Sequence, residues 1–417
     1  MTDAQESGSR SPFTVHRSPS LSPQSFGALR NPNFRRFIFG QFVSLCGTWM
    51  QTVALGWLAL LLTDSALQVG LVTFFSALPV LLFTLYGGVV AGRVNKRRAL
   101  LVLQSLFLAE ALALGLLTAF DAITIQWVYA LSLAGGLISA FEIPVRQAFL
   151  GDLAGREHLM SAIALNSSAF NLSRVFGPAL AGLLLAAAGA AACFFVNAAS
   201  FLAVLISLFK ITPDLPSSTG TRRTGLGDGM RHVFGSPWPR TLVILTGIFT
   251  VFGVSFVAIL PVYARDTLGT GAGGYGALTS AFGIGAAAAA ISIAALGHRL
   301  PRERVLLWAG SGFASAIFLL GLSRQFALAF AVLLLAGLSA ALNAILTNTM
   351  LQTEAPDDLR GQVVGFYSFI VVGMAPFGSL QAGWLAEHLG AGSAVLLGGS
   401  VCLLGTLWAW WQLGRSL

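Results

Sequence analysis

The feature that most constrains the fold is a series of apolar runs, each roughly 20 residues long, that fills most of the chain. Twelve such runs can be marked, at residues 36–62, 69–91, 98–120, 124–145, 162–188, 191–210, 241–263, 274–296, 303–321, 326–350, 361–386 and 391–412. A helix of about 20 residues rises about 30 Å, which is the thickness of the hydrocarbon core of a bilayer. Hydrophobic residues make up 56% of the 417 residues and charged residues only 10%, against about 25% charged residues in soluble domains. The sequence therefore predicts an all-α membrane protein with twelve transmembrane helices.

The positive charges lie almost entirely on one side of the predicted membrane. Of the 24 Lys and Arg residues, 21 fall in the termini and in loops on the side of the N-terminus, whereas Arg265 and Arg324 fall on the other side and Arg174 lies within a span. This asymmetry follows the positive-inside rule, so both termini are expected in the cytoplasm and the protein in a cell membrane. Since topology accounts for the net charge of +8, the charge gives no reason to expect a nucleic-acid partner.

The polar segments divide the chain into two groups of six spans. Residues 1–27 are rich in Ser, Pro and Arg and contain no apolar segment, so we expect a disordered cytoplasmic arm without a cleavable signal peptide. An N-terminal bundle is predicted at 28–211, a cytoplasmic linker at 212–240 with a short surface helix near 226–235, a C-terminal bundle at 241–413 and a cytoplasmic tail at 414–417.

The two groups of spans carry matching glycine spacings. Gly177-x4-Gly182-x6-Gly189 in the first half is repeated as Gly378-x4-Gly383-x6-Gly390 in the second, 201 residues later. Arg93 and Arg98 align with Arg299 and Arg304 at a similar offset of 206. The two matches indicate a duplication of six spans, and parallel repeats of this kind place a substrate path at their interface.

Residues typical of enzymes and nucleotide-driven pumps are missing from the sequence. Neither of its two lysines, Lys96 and Lys210, follows a glycine as a phosphate-binding loop requires. The five histidines show no metal-ligand spacing, and the three cysteines lie in or beside apolar runs. We therefore expect no enzyme activity and no nucleotide, metal or other cofactor.

Several stretches resemble the major facilitator superfamily and, within it, the siderophore-exporter branch. They are GGVVAGRVNKRR at 87–98, PVRQAFLGDLAGREHLMSAIALNSSAFNLSRVFGPALAGLL at 144–184 and DDLRGQVVGFYSFIVVGMAPFGSLQAGWLAEHLG at 357–390. The resemblance covers roughly residues 28–412. It implies two six-helix bundles that rock about a central cavity and carry a small molecule across the membrane.

The resemblance also implies a conformational motif in the loop between the second and third spans. Its family pattern is G-x-x-x-D-R-x-x-R-R, which Gly88, Arg93, Arg97 and Arg98 match. Gly92 occupies the position of the family's Asp, a residue that helps to lock the cytoplasmic side. The alternative is that these arginines only anchor the topology.

A second motif implied by the resemblance lies in the fifth span. Gly177, Pro178 and Gly182 match the G-x-x-x-G-P-x-x-G-G pattern that the family associates with exporters. Proline bends a helix and small residues let a neighbour approach closely. A structural kink without directional meaning is the alternative.

Arg174 is the one cation predicted within a span. It lies about 12 residues into that span, or about 18 Å, where a lone cation costs at least about 3 kcal/mol. Ser167 and Asn171 share its helix face. We therefore predict that Arg174 lines a wet central cavity and anchors an anionic substrate group or a titrating carboxylate, with a purely structural pairing as the alternative. The other residues predicted to line the cavity are Gln41, Ser44, Thr48 and Gln51 in the first span and Asn343 and Thr347 in the tenth.

Two acidic residues within spans are candidates for carrying a coupling proton. Glu142 and Arg146 are four residues apart on the fourth span and are placed to pair. Glu110 lies in the middle of the third span among apolar residues, where a neutral carboxyl group is favoured over a charged one.

Together these features predict a secondary active transporter, driven by the proton gradient, that exports a small amphipathic molecule such as a siderophore, lipophilic metabolite or drug. Its partners would be that substrate, the proton and the lipid bilayer, and we expect a monomer. An importer or facilitator of the same fold and a membrane scaffold or sensor without transport activity are the alternatives. Transport direction is not encoded by hydrophobic periodicity, so only the fifth-span motif and the branch resemblance favour export.

Overall fold

A computed structural model describes residues 23–211, 226–296, 301–356 and 359–413 of the chain. The secondary structure within these ranges is helical. The first half comprises a 3₁₀ helix at Pro23–Arg30, followed by α1 Pro32–Thr63, α2 Ala66–Ala91, α3 Lys96–Ala119, α4 Ile125–Gly155, α5 157–188 and α6 190–210. A short helix, α7, spans Leu226–Gly235. The second half comprises α8 Pro237–Thr267, α9 Ala272–Leu296, α10 Arg302–Leu322, α11 Phe326–Glu354, α12 Arg360–Leu389 and α13 Ala391–Leu413.

The predicted all-α fold with twelve membrane crossings is confirmed. Eleven helices in the described part of the chain meet the length and hydropathy of a membrane span, because residues 157–210 form one continuous helical segment. Gly189 divides that segment, with φ at 76° and ψ at −177°, a conformation that glycine adopts at little cost. The fifth and sixth crossings thus meet at a single residue instead of a loop.

The predicted domain limits fall partly outside the described residues. The arm at 1–27 is described only from Pro23, where the 3₁₀ helix begins and Ala28 is already buried. The backbone N–H of Ala28 donates to Ser161 Oγ at 3.2 Å, which ties this segment to α5. In the linker, α7 forms where a surface helix was expected, whereas residues 212–225 and the tail at 414–417 lie outside the described ranges.

Each of the long helices, α1–α6 and α8–α13, runs between two ends of the bundle. One end carries the connections after α1, α3, α5, α8, α10 and α12, and we call it the Asp64 end. The opposite end carries the connections after α2, α4, α6, α9 and α11, and we call it the Lys96 end.

The two halves meet through pairs of glycines near the Asp64 end. A Cβ on Gly276 of α9 would lie 2.5 Å from the Cα of Gly182 on α5, and a Cβ on Gly70 of α2 would lie 3.0 Å from the Cα of Gly383 on α12. Gly182 and Gly383 are equivalent in the glycine repeat. Gly70 and Gly276 are 206 residues apart, the same offset that relates the matching arginines. The duplicated halves therefore contact each other through two symmetry-related glycine pairs.

Toward the Lys96 end the halves diverge. At mid-depth α9 still touches α5, because a Cβ on Gly283 would lie 2.5 Å from the carbonyl oxygen of Arg174. Further along, Ile163 and Ser167 of α5 are exposed, and a Cβ on Gly88 of α2 would meet no atom within 4 Å. Among the described residues, the halves are therefore closed against each other at the Asp64 end and separate toward the Lys96 end.

Candidate functional site

A cavity of about 340 Å³ lies between the halves, on the inner side of the glycine contacts. Its walls come from α1, α2, α8, α9 and α12. Trp49 and Tyr275 provide aromatic faces, and aliphatic residues such as Val72 and Val257 fill much of the remaining wall. Besides the phenol of Tyr275, the lining holds seven Ser and Thr hydroxyl groups, those of Thr52, Thr73, Ser76, Thr250, Ser255, Thr279 and Ser379. Asp, Glu, Lys, Arg and His are absent from the described residues that line it, and its volume is within the range of small-molecule sites.

Three of these hydroxyl groups donate their hydrogen bonds within their own helices. Thr52 Oγ1 donates to the carbonyl oxygen of Thr48 at 3.0 Å, Thr279 Oγ1 to that of Tyr275 at 3.0 Å, and Ser379 Oγ to that of Pro376 at 2.8 Å. A hydroxyl oxygen has two lone pairs besides its one hydrogen. These oxygens therefore present acceptors to the cavity.

Arg174 does not line this cavity but contacts Trp49, which does. The Arg174 Cζ is 5.4 Å from the ring centre of Trp49 on α1 and 5.3 Å from that of Phe282 on α9. Both distances are within the range of a cation–π contact. Across the described residues, the Arg174 guanidinium makes no ion pair or hydrogen bond. The contact with Phe282 crosses from one half of the protein to the other.

The fifth-span motif shapes the backbone around Arg174. A Cβ on Gly177 would lie 2.5 Å from the Cβ of Trp49, so glycine at this position lets α1 place Trp49 against Arg174. Pro178 is buried, and its carbonyl oxygen would lie 2.7 Å from a Cβ on Gly276. The motif thus joins the Arg174 region to the contact between the halves.

The other residues predicted to line the cavity occupy several environments. None of the nine, Arg174 included, lines the 340 Å³ cavity in this conformation. On α5, Asn171 is half-buried and donates through Nδ2 to the carbonyl oxygen of Ser167 at 2.9 Å, while Ser167 faces the open Lys96 side. Asn343 lines a smaller cavity of about 100 Å³ inside the second half, and Thr347 is buried.

On α1 the predicted polar stripe splits between two environments. Gln41 and Ser44 are buried, and Thr48 is exposed and donates to the carbonyl oxygen of Ser44 at 3.0 Å. Gln51 points away from the cavity, into the first half. The residues that sequence reasoning missed are Trp49, Tyr275 and the cavity hydroxyls, which carry no distinguishing spacing in the sequence.

Glu110 is buried in a chain of polar side chains that joins α3, α1 and α6. Gln51 Nε2 lies 3.0 Å from both carboxylate oxygens of Glu110. Gln51 Oε1 accepts from Asn197 Nδ2 at 2.7 Å, and Asn197 Oδ1 accepts from Ser200 Oγ at 3.1 Å. The Glu110 side chain forms no ion pair with a Lys, Arg or His of the described residues, although the residue is only 7% exposed. The structure thus contains a buried carboxyl group, held by an amide, without a compensating cation.

Glu142 differs from Glu110 because a cation accompanies it. Arg146 Nε lies 2.8 Å from Glu142 Oε1, so the expected pairing across one helical turn forms. Gln104 Nε2 donates to the same oxygen at 3.3 Å, and Arg146 Nη1 reaches Asn166 Oδ1 at 3.5 Å. The pair lies toward the Lys96 end of α4.

Among the described residues, the printed side-chain bonds of the α2–α3 loop and the start of α3 lie within the first half. Arg97 donates to the carbonyl oxygens of Leu208 at 2.7 Å and Phe209 at 3.2 Å, which caps the end of α6. Lys96 Nζ pairs with Asp152 Oδ2 at 2.6 Å. Arg93, Arg98, Gly88 and Gly92 are exposed. The conformational role predicted for this loop stays a prediction.

Comparison with known proteins defines the class of this molecule. The family described as transmembrane secretion effector matches residues 23–413. Two six-helix halves around a central cavity are the architecture of the major facilitator superfamily, and the chain belongs to this family of its transporters.

Two curated relatives cover most of the chain. The staphyloferrin A transporter of Staphylococcus aureus (strain NCTC 8325 / PS 47) is 29% identical over 85% of this chain and 89% of its own length. The enterobactin exporter EntS of Escherichia coli O1:K1 / APEC is 28% identical over 90% of this chain and 91% of its own length. Both names are those of siderophore transporters, so the resemblance to that branch is confirmed, and a function as a transporter rather than an enzyme is confirmed with it.

A solved structure shares the fold. A bacterial homologue of the human lysosomal transporter Spinster, in an inward-facing and occupied conformation, superposes with a TM-score of 0.72. The alignment covers 93% of this chain and 97% of that protein at 14% sequence identity. This likeness bears on the fold alone.

Proposed function

We propose that this multi-pass transporter is a monomeric, proton-driven exporter of a small amphipathic molecule in the cell membrane. Both termini would be cytoplasmic, so the Lys96 end would face the cytoplasm and the Asp64 end the outside. The distribution of Lys and Arg supports this orientation. In the conformation described above, the protein is then open to the cytoplasm, the side from which an exporter loads its cargo.

The observation that carries the proton coupling is the buried carboxyl group of Glu110. Burying a carboxylate in its charged form without a cation is costly, whereas a protonated carboxyl group needs only hydrogen-bond partners. Gln51 supplies a partner in either form, since its amide nitrogen donates equally to a carboxylate oxygen or to the carbonyl oxygen of a protonated carboxyl group. Glu110 is therefore placed to hold a proton in this state and to release it when the surroundings become wetter.

The position of Gln51 supports a link between that proton and the cargo. Gln51 lies on α1 between Trp49 and Thr52, both of which line the cavity. A shift of α1 on cargo binding would alter the hydrogen bonds between Gln51 and Glu110. In this scheme cargo enters from the Lys96 end, the glycine contacts at the Asp64 end part, and proton uptake by Glu110 accompanies the return. Export is favoured by the fifth-span motif and by the name of one relative, the enterobactin exporter EntS.

The test compares culture supernatants by untargeted mass spectrometry. The strains lack the gene, carry it, or carry Glu110→Gln, under iron-replete and iron-starved growth. We expect a compound that accumulates outside only with the intact gene and falls to the level of the gene-less strain with Glu110→Gln. Asp121→Asn is the matched control, because Asp121 is exposed in a loop with φ at 53°, a conformation that Asn also accepts.

The outcomes separate the alternatives. Normal export by Glu110→Gln would contradict its role in coupling. A compound that accumulates outside when the gene is lost would indicate uptake, and identical supernatants from all strains would favour a scaffold or sensor. Membrane insertion of each variant is checked by the amount of protein in the membrane fraction.

A further inference from the structure

We propose that the cargo is a monoanion of a particular shape: an uncharged, largely apolar body that carries hydroxyl or N–H groups, with a single anionic group at one end. This proposal rests on the transport function proposed above and specifies the substrate class. Two neighbouring features carry it, the charge-free cavity and the unpaired guanidinium of Arg174 behind Trp49.

The cavity selects against a charged body. Its described lining contains no residue that ionises near neutral pH, so a charge placed inside would lose hydration without gaining a counterion. Trp49 and Tyr275 offer flat apolar faces, which suit an aromatic or aliphatic body. With a volume of about 340 Å³, the cavity accepts a body of two fused rings.

The hydroxyl groups of the cavity specify the polar groups of that body. Thr52, Thr279 and Ser379 already donate to backbone carbonyls of their own helices. Their oxygens therefore act toward the cargo chiefly as acceptors. A body that carries O–H or N–H groups satisfies these three acceptors.

The guanidinium of Arg174 accounts for the single negative charge proposed for the cargo. Its guanidinium is within cation–π distance of Trp49 and Phe282, and aromatic faces leave the in-plane N–H donors of a guanidinium unused. No carboxylate of the described residues pairs with it. Since Trp49 lines the cavity and its ring contacts Arg174, a cargo that fills the cavity and extends past the Trp49 ring brings its end group to the guanidinium. One cation accommodates one anionic group, and a second anionic group would fall in the charge-free cavity.

Three fluorescent probes with the same fused-ring body test this assignment. They are 6-hydroxy-2-naphthoate, with one charge and one hydroxyl group, 2,6-dihydroxynaphthalene, without charge, and 2,6-naphthalenedicarboxylate, with two charges. Binding to the purified full-length protein in lipid nanodiscs is followed near neutral pH, without a proton gradient, by the change in probe and tryptophan fluorescence. We expect 6-hydroxy-2-naphthoate to bind at least about tenfold more tightly than either of the other probes, because it alone satisfies both features.

Two variants test whether Arg174 and the cavity hydroxyl groups cause these differences in probe affinity. Arg174→Gln is expected to weaken 6-hydroxy-2-naphthoate about tenfold and to leave 2,6-dihydroxynaphthalene within about twofold, since only the first probe uses the charge. Thr279→Val combined with Ser379→Ala is expected to weaken both hydroxylated probes. Arg35→Gln removes an exposed arginine at the start of α1 and serves as the control, with no effect on any probe.

The proposal is overturned if the three probes bind alike, if the dicarboxylate binds best, if none binds up to about 1 mM, or if Arg174→Gln weakens the charged and uncharged probes equally. Transport is measured separately, as movement of 6-hydroxy-2-naphthoate into proteoliposomes under a pH gradient. Selective binding without gradient-driven movement would contradict the proton-driven transport and leave the cargo assignment standing. If 6-hydroxy-2-naphthoate moves with the gradient and Arg174→Gln does not alter that movement, proton-driven transport is supported and the cargo assignment is contradicted.

Discussion

At the scale of single residues, Gln51 has two partners that each depend on it. Its nitrogen serves Glu110 and its oxygen serves Asn197. Gln51→Leu would leave a buried acceptor and a buried donor without partners, and each such loss costs about 1–3 kcal/mol. We expect Gln51→Leu to lower the thermal unfolding temperature of the protein in detergent and to abolish transport.

A double variant separates the structural part of this effect from the functional part. Replacing both members of a buried polar pair by apolar residues is less costly than removing one. Gln51→Leu with Glu110→Leu should therefore recover part of the lost stability while transport stays absent. A double variant whose loss of unfolding free energy equals or exceeds the summed losses of the two single variants would contradict this coupling.

The residue scale also shows what spacing in the sequence reveals and what it hides. Glu142 and Arg146 were predicted to pair because they are one turn apart on a helix, and they do. The contact between Gln51 and Glu110 joins residues 59 apart on different helices, and no local pattern encodes it. The cavity hydroxyls were missed because a Thr or Ser that bonds within its own helix looks the same in sequence wherever it faces.

At the scale of helices, the glycine pairs set how closely the halves approach. Gly276→Ala would place a Cβ 2.5 Å from the Cα of Gly182, and Gly383→Ala would place one 3.1 Å from the Cα of Gly70. Both substitutions should push the Asp64 end apart and shift the population toward a conformation that is open there. Because the two contacts are symmetry-related, the shifts should have the same direction, and the larger one is expected for Gly276→Ala.

The measurement is the distance distribution between spin labels at positions 121 and 325, in a chain whose three cysteines are replaced by alanine. These positions are exposed at the Asp64 end on opposite halves. Gly361→Ala is the control, since a Cβ there meets no atom within 4 Å. A distribution for Gly276→Ala that matches the control would refute the proposed role of the contact.

The helix scale is also where sequence reasoning succeeded most fully. Long apolar runs predicted each crossing because a helix that faces lipid must be apolar over its whole length. The repeated glycine spacing identified Gly182 and Gly383 before their contacts were known. It did not reveal that Gly70 and Gly276 are their partners, since those glycines lie outside the matching motif.

At the scale of the whole molecule, polar contacts close the Asp64 end across the two halves. Glu387 Oε2 on α12 accepts from Ser65 Oγ at 2.9 Å and from the backbone N–H of Leu67 at 3.1 Å, where the amino end of α2 favours a carboxylate. Arg265 on α8 pairs with Asp64. Each is an exposed contact of the kind that contributes less than about 1 kcal/mol.

These contacts should act together on the balance between conformations. We expect Glu387→Gln or Arg265→Gln alone to change the ratio of the two states by less than about fivefold, and the double variant by about tenfold, toward opening at the Asp64 end. The same spin-label pair measures the ratio. High salt should reproduce part of the shift in the wild-type protein, because salt screens exposed charges. A double variant that still gives the wild-type ratio would assign the closure to the glycine contacts alone.

The hydroxyl groups of the cavity have a consequence for how this protein evolves. Because Thr52, Thr279 and Ser379 bond to their own helices, exchange of any of them for Val or Ala removes an acceptor from the cavity and orphans no donor elsewhere. The chemistry of recognition can therefore drift one substitution at a time while the fold is preserved. Descendants of one ancestral gene can come to carry different compounds without passing through an unstable intermediate, and the range of cargo is expected to diverge faster than the architecture that carries it.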